Sequence, residues 1–153
     1  MTLEEHTLGL GKVIVNLHSL EFKLRAFLWK REGHSSWKFL SALREGDTAP
    51  ENAFTNYDTL NELIEKYNAE AGESFPELCV DPRIVDLRDA IAHGRLGSDV
   101  PQPPLRLLKF SKPAGGNVKV TNSILVDDQW LSAQTTRVRL EIEKVAKALE
   151  NIG

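Results

Sequence analysis

Hydrophobic positions recur at helical spacing along most of this chain, and four stretches stand out. Residues from about 3 to 31 put Leu10, Ile14, Leu17, Leu24 and Leu28 on one face, flanked by Val13, Leu20 and Phe27. That pattern predicts one long amphipathic helix, started by the capping box Thr2-x-x-Glu5. A second helix is predicted over about 56–71, with Leu60, Leu63, Ile64 and Tyr67 inward. Thr55 or Asp58 would cap it and Gly72 would close it. A third, short helix carries Ile84, Leu87 and Ile91 on one side. Asp81 as cap, Pro82 at the first position and Gly94 as a left-handed stop would bound it. The fourth spans about 128–151, with Asp127 or Asp128 as cap. Its positions Leu131, Thr135, Val138, Ile142, Val145, Leu149 and Ile152 form a heptad-like seam that reads as bundle core. Trp37, Leu40 and Leu43 add a short apolar run that ends at Gly46.

Between the third and fourth helices the period changes. Residues 95–104, with three prolines at 101, 103 and 104, read as a break in the chain. Leu105–Phe110 and residues 117–126 then read as strands, joined by the turn-forming Lys112-Pro113-Ala114-Gly115-Gly116. Two strands alone are marginal, so this hairpin should lie on the helices or pair across a dimer. Lys109, Lys112 and Lys119 tint it basic, which reads as a solvated surface in preference to the alternative, an RNA-contacting finger. The expected class is mainly α, one domain over residues 1–153, with a β-hairpin inserted at about 105–126 before the last helix.

Composition fits an ordinary globular domain: 41% hydrophobic and 27% charged over 153 residues. The single cysteine, Cys79, rules out an intrachain disulfide and reads as a small buried residue. A formal net charge of −3 argues against a protein held to nucleic acid by bulk charge. It leaves room for a local site built from a few arginines. The N-terminus lacks the pattern of a signal peptide, and no apolar run approaches the roughly 20 residues of a membrane span. A cytoplasmic protein with no membrane contact is expected. His6 and His18 lie too far apart to share a metal, and no cluster has ligand spacing. No metal and no cofactor is expected.

Glu21 interrupts the apolar stripe of the first helix. A buried carboxylate is costly unless paired. It either salt-bridges locally to Arg25, one turn on, or supports a functional site from across the bundle.

The candidate chemistry lies on the third helix, in Arg88-Asp89-Ala90-Ile91-Ala92-His93-Gly94. Asp89 and His93 are one turn apart, so their side chains can meet. Arg88 and His93 are five apart and diverge by about 140°. One protomer cannot easily close both on the same atom. A second copy across a two-fold axis could.

This stretch resembles the Arg-polar-x-x-x-His signature of HEPN domains, with Arg88 and His93 at the two named positions and Asp89 at the polar one. The resemblance implies an up-and-down bundle of four or five helices that pairs as a homodimer. Many such domains are metal-independent ribonucleases of toxin–antitoxin, abortive-infection or RNA-surveillance systems. Others have lost catalysis and serve as dimerisation or binding modules. RNA supplies its own nucleophile, the 2′-hydroxyl, so cleavage needs proton transfer and a cation on the phosphorane-like transition state. Histidine suits the first task and arginine the second. The expectation is an endoribonuclease in which His93 moves protons, Arg88 holds the phosphate, and Asp89 orients His93. Glu21 is a candidate supporting group. An antitoxin or other protein partner is implied by the resemblance. The alternatives are a non-catalytic helical interaction module, or a nucleotide-binding bundle that uses Arg88 for phosphate alone.

Overall fold

Thr2 begins the first helix in the computed structural model, which describes residues 1–152. Its hydroxyl accepts the Glu5 N–H at 3.1 Å, and the Glu5 carboxylate accepts the Thr2 N–H at 2.7 Å. Two of the donors a helix start leaves open are thereby satisfied. Helix α1 (Leu3–Arg31) is followed by α2 (Leu60–Ser74) and α3 (Ile84–His93), then by strands β1 (Arg95–Gly97), β2 (Leu105–Phe110) and β3 (Val120–Val126), and last by α4 (Asp128–Asn151). The protein is mainly α, with one small antiparallel sheet in the order β1-β2-β3. The chain forms two compact units. One holds Met1–Leu17 and Arg83–Arg139; the other holds His18–Pro82 and the chain from Leu140 onward.

In the second of these, Leu20, Leu24 and Phe27 of α1 are buried, as are Leu63, Ile64 and Tyr67 of α2. The Phe27 and Tyr67 rings meet edge to face at 4.8 Å. The Tyr67 hydroxyl donates to the Leu78 carbonyl at 2.8 Å. Burial, more than any charge near it, pushes its pKa well up. Helix α2 starts later than the hydrophobic pattern suggests. Thr59, not Thr55 or Asp58, caps it, because Thr59 and Glu62 form a reciprocal capping box. Gly72, expected to end this helix, lies inside it.

The other unit carries α3 and the sheet. Leu107 and Val126, on one side of the sheet, are buried. Residues Arg106, Leu108 and Phe110 alternate to the opposite side of β2. Arg95 pairs with Leu108 and Ser123 pairs with Leu108 from the other strand, so both share that outward side. The hairpin turn closes through Ala114 and Asn117, with Gly115 and Gly116 both at positive φ, as a type I′ turn demands. A register shift at Lys109/Phe110 sets Phe110 opposite Val120. Strand β1 falls where a plain break is expected. It makes the sheet three-stranded rather than a two-stranded hairpin.

Gly94 stops α3 for a different reason than a left-handed turn. Its backbone is extended, at φ −75° and ψ 166°. A β-carbon here would strike the Ala90 carbonyl oxygen and stand 2.6 Å from Leu107 Cδ1. Glycine lets the backbone pass close over β2 and turn directly from helix into strand. The start of α3 also differs: the flanking residue is Arg83, without a side-chain cap, rather than Asp81.

Candidate functional site

Helix α3 turns Ile84, Leu87 and Ala90 into the core. Arg88 and His93 are thereby left exposed, and Asp89 half-exposed. Arg88 donates from a terminal guanidinium nitrogen to Asp89 Oδ1 at 3.1 Å. Their side chains are 48% and 35% exposed. A surface pair of this kind contributes about 0–1 kcal/mol. It is weak enough for a phosphate to displace. The expected partner of Asp89 was His93; the hydrogen bond it makes here is with Arg88.

Among the described residues, the His93 imidazole has no hydrogen-bond partner. It opens instead onto a cleft of about 270 Å³ shared with Arg95, Phe110, Ser111, Pro113 and Val118. Only Gly94 separates His93 at the end of α3 from Arg95 at the start of β1. That direct join puts the imidazole and a second guanidinium on the same cleft. The Arg95 guanidinium carbon lies 5.2 Å from the centre of the Phe110 ring, in cation–π range. Ser111 fixes the cleft wall: its hydroxyl accepts the Lys119 N–H at 2.9 Å and donates to the Lys112 carbonyl at 3.1 Å.

Arg95 and Phe110 were not singled out by sequence reasoning. The available signal was charge: residues 100–126 hold Arg106, Lys109, Lys112 and Lys119 and no aspartate or glutamate, in a chain whose net charge is −3.

Glu21 takes its local option. Its Oε1 accepts from Arg25 Nε at 3.2 Å. Arg25, 12% exposed, continues to the Ala53 carbonyl, Asn56 Oδ1 and the Asp58 carbonyl at 2.8, 2.8 and 3.0 Å. One guanidinium thus ties the segment before α2 to α1.

Among the described residues, no three His, Cys, Asp or Glu side chains gather as metal ligands, and no helix is long and apolar enough to cross a membrane. Comparison with protein-family models, with curated proteins and with solved structures gives no match.

Proposed function

We propose that this chain is a metal-independent endoribonuclease of the HEPN type. In this reading its helices form an up-and-down bundle, and it acts in the cytoplasm as a homodimer whose two α3 helices line one cleft. One observation carries the proposal: Arg88 and His93 are both exposed on α3, and neither is consumed in a buried ion pair. Exposure leaves both side chains accessible to a substrate, which a buried, paired charge would not be.

Each residue then has a task. His93 takes the proton from the 2′-hydroxyl, or gives one to the departing 5′-oxygen. Arg88 places forked donors and a fixed charge on the phosphorane-like transition state. Charge-assisted bonds to a phosphate are worth about 1.5–3 kcal/mol each, more than the exposed Arg88–Asp89 pair. Arg88 therefore transfers to the substrate. Asp89, released, accepts the second N–H of His93 one turn away and holds the ring in place. The products would be a 2′,3′-cyclic phosphate and a 5′-hydroxyl. A toxin of this kind would be held in check by an antitoxin or another protein partner.

The test is incubation of the purified protein with single-stranded RNA in EDTA, beside His93→Ala and Arg88→Ala. Cleavage by wild type and loss of about 100-fold or more in each variant is expected. Cleavage by wild type no faster than by His93→Ala would leave only a non-catalytic interaction or nucleotide-binding module.

A further inference from the structure

The outward side of the sheet is an unusual surface for an acidic protein. Arg95, Arg106, Leu108 and Phe110 share it, with exposed Ser123 and Leu125 beside them. No carboxylate stands on any of the three strands. Among the described residues, Arg106 bonds only the neutral Ser123 hydroxyl, at 3.1 Å. Arg95 has no ion-pair partner among the described residues; its guanidinium lies over the Phe110 ring. Among the described residues, the two guanidinium charges on this face are thus unpaired.

We propose that this sheet face is a binding site for single-stranded RNA, with one base stacked on the Arg95–Phe110 pair at the His93 cleft.

Three features select that ligand. Such arginines suit a chain of phosphates, and their field is local because the rest of the protein is acidic. A ring with a guanidinium over it gives a flat cationic surface on which a nucleobase stacks. That surface is reached only by a base already out of a duplex, which favours a single strand over a helix. The cleft, about 270 Å³, falls below the ~300–1,000 Å³ of pockets that enclose a whole small ligand. It suits one base of a strand that continues across the sheet. The ribonuclease reading enters only at the next step: a strand seated this way brings one 2′-hydroxyl beside His93.

The test separates binding from cleavage. A fluorescent single strand of about eight nucleotides, within the ~4–16 of known single-strand sites, is made with 2′-O-methyl groups so that it cannot be cut. Its affinity is read by anisotropy for wild type, Phe110→Ala, Phe110→Trp and Arg95→Gln, with circular dichroism and melting as folding controls. Phe110→Ala should weaken binding on the order of ten-fold, and Phe110→Trp should keep it. Arg95→Gln should weaken binding and lower the salt slope by about 0.7. A folded Phe110→Ala protein that binds like wild type overturns the proposal. So does displacement of the strand by duplex RNA or an acidic peptide as readily as by unlabelled strand. Cleavage of an unmodified strand is scored separately. Binding as described without cleavage supports this site and sinks the nuclease. Cleavage with binding indifferent to Phe110 does the reverse.

Discussion

Leu107 Cδ1 stands 2.6 Å from the place a β-carbon on Gly94 would occupy. This close approach fixes the last turn of α3, and with it His93, against β2. Gly94→Ala must push both the Ala90 carbonyl and Leu107 aside, a strain of about 1–3 kcal/mol. A fall in Tm of several degrees is expected, together with reduced RNA cleavage. A variant that melts like wild type would show that the junction is looser than described.

Arg88 and His93 diverge on their own helix, so an active centre of the proposed kind takes one from each protomer. Mixing Arg88→Ala with His93→Ala protein and allowing subunits to exchange should then rebuild one complete centre in each mixed dimer. Recovery to about a quarter of wild-type activity is expected from random pairing. Cleavage assays on the two variants alone and on the mixture measure this. No recovery after verified exchange would mean that the two residues act within one chain.

Arg25 holds two backbone carbonyls, an amide and a carboxylate while only 12% exposed. Arg25→Met strands the Ala53 and Asp58 carbonyls, which should cost about 2–4 kcal/mol in urea unfolding. Proteolysis between α1 and α2 should quicken. Glu21→Gln removes only the partly exposed end of the network and should cost under about 1 kcal/mol. A drop in kcat with unchanged stability would instead assign Glu21 to the active centre.

The Thr2–Glu5 box gives α1 a pH-sensitive end. The hydrogen bond from the Thr2 backbone, then that from its side chain, lowers the Glu5 pKa from its ordinary 4.5. A carboxyl whose folded pKa is depressed stabilises the fold above its unfolded value. That contribution disappears as the pH drops through the folded value. Protection of the first-turn amides, measured against their intrinsic exchange rates, should therefore fall below about pH 4.5. In Glu5→Gln it should stay nearly flat across the same range. An equal acid response in the variant would remove Glu5 from the explanation.

Long periodic stretches were readable from the residues alone. Helices α1 and α4 and strand β2 lie where the hydrophobic spacing puts them, because burial of a stripe overrides local detail. Short or reciprocal features were harder to read. Three-residue β1 has no periodicity of its own and exists because β2 offers it a ladder. Ile14 sits on the expected stripe yet is 36% exposed, while His6 is 2% exposed. The true stripe is turned slightly about the helix axis, and a polar residue falls into it. Glu141 is likewise buried, and accepts from Lys144 Nζ at 3.1 Å and from the Asp81 N–H at 3.2 Å. Partners sixty residues apart in the chain leave no local pattern. At the candidate site, the Arg88–His93 pair was visible as spacing. The Arg95–Phe110 pair was not, since only sheet pairing brings those two together.

Strand β3 ends at the buried Val126 and α4 begins at Asp128, with Asp127 alone between them. The Asp127 carboxylate accepts the Trp130 N–H at 2.8 Å. The join has no slack, so an indole rides one turn beyond the sheet as a built-in optical reporter. With Trp29 and Trp37 changed to phenylalanine, emission from Trp130 alone should register whatever settles on the strands.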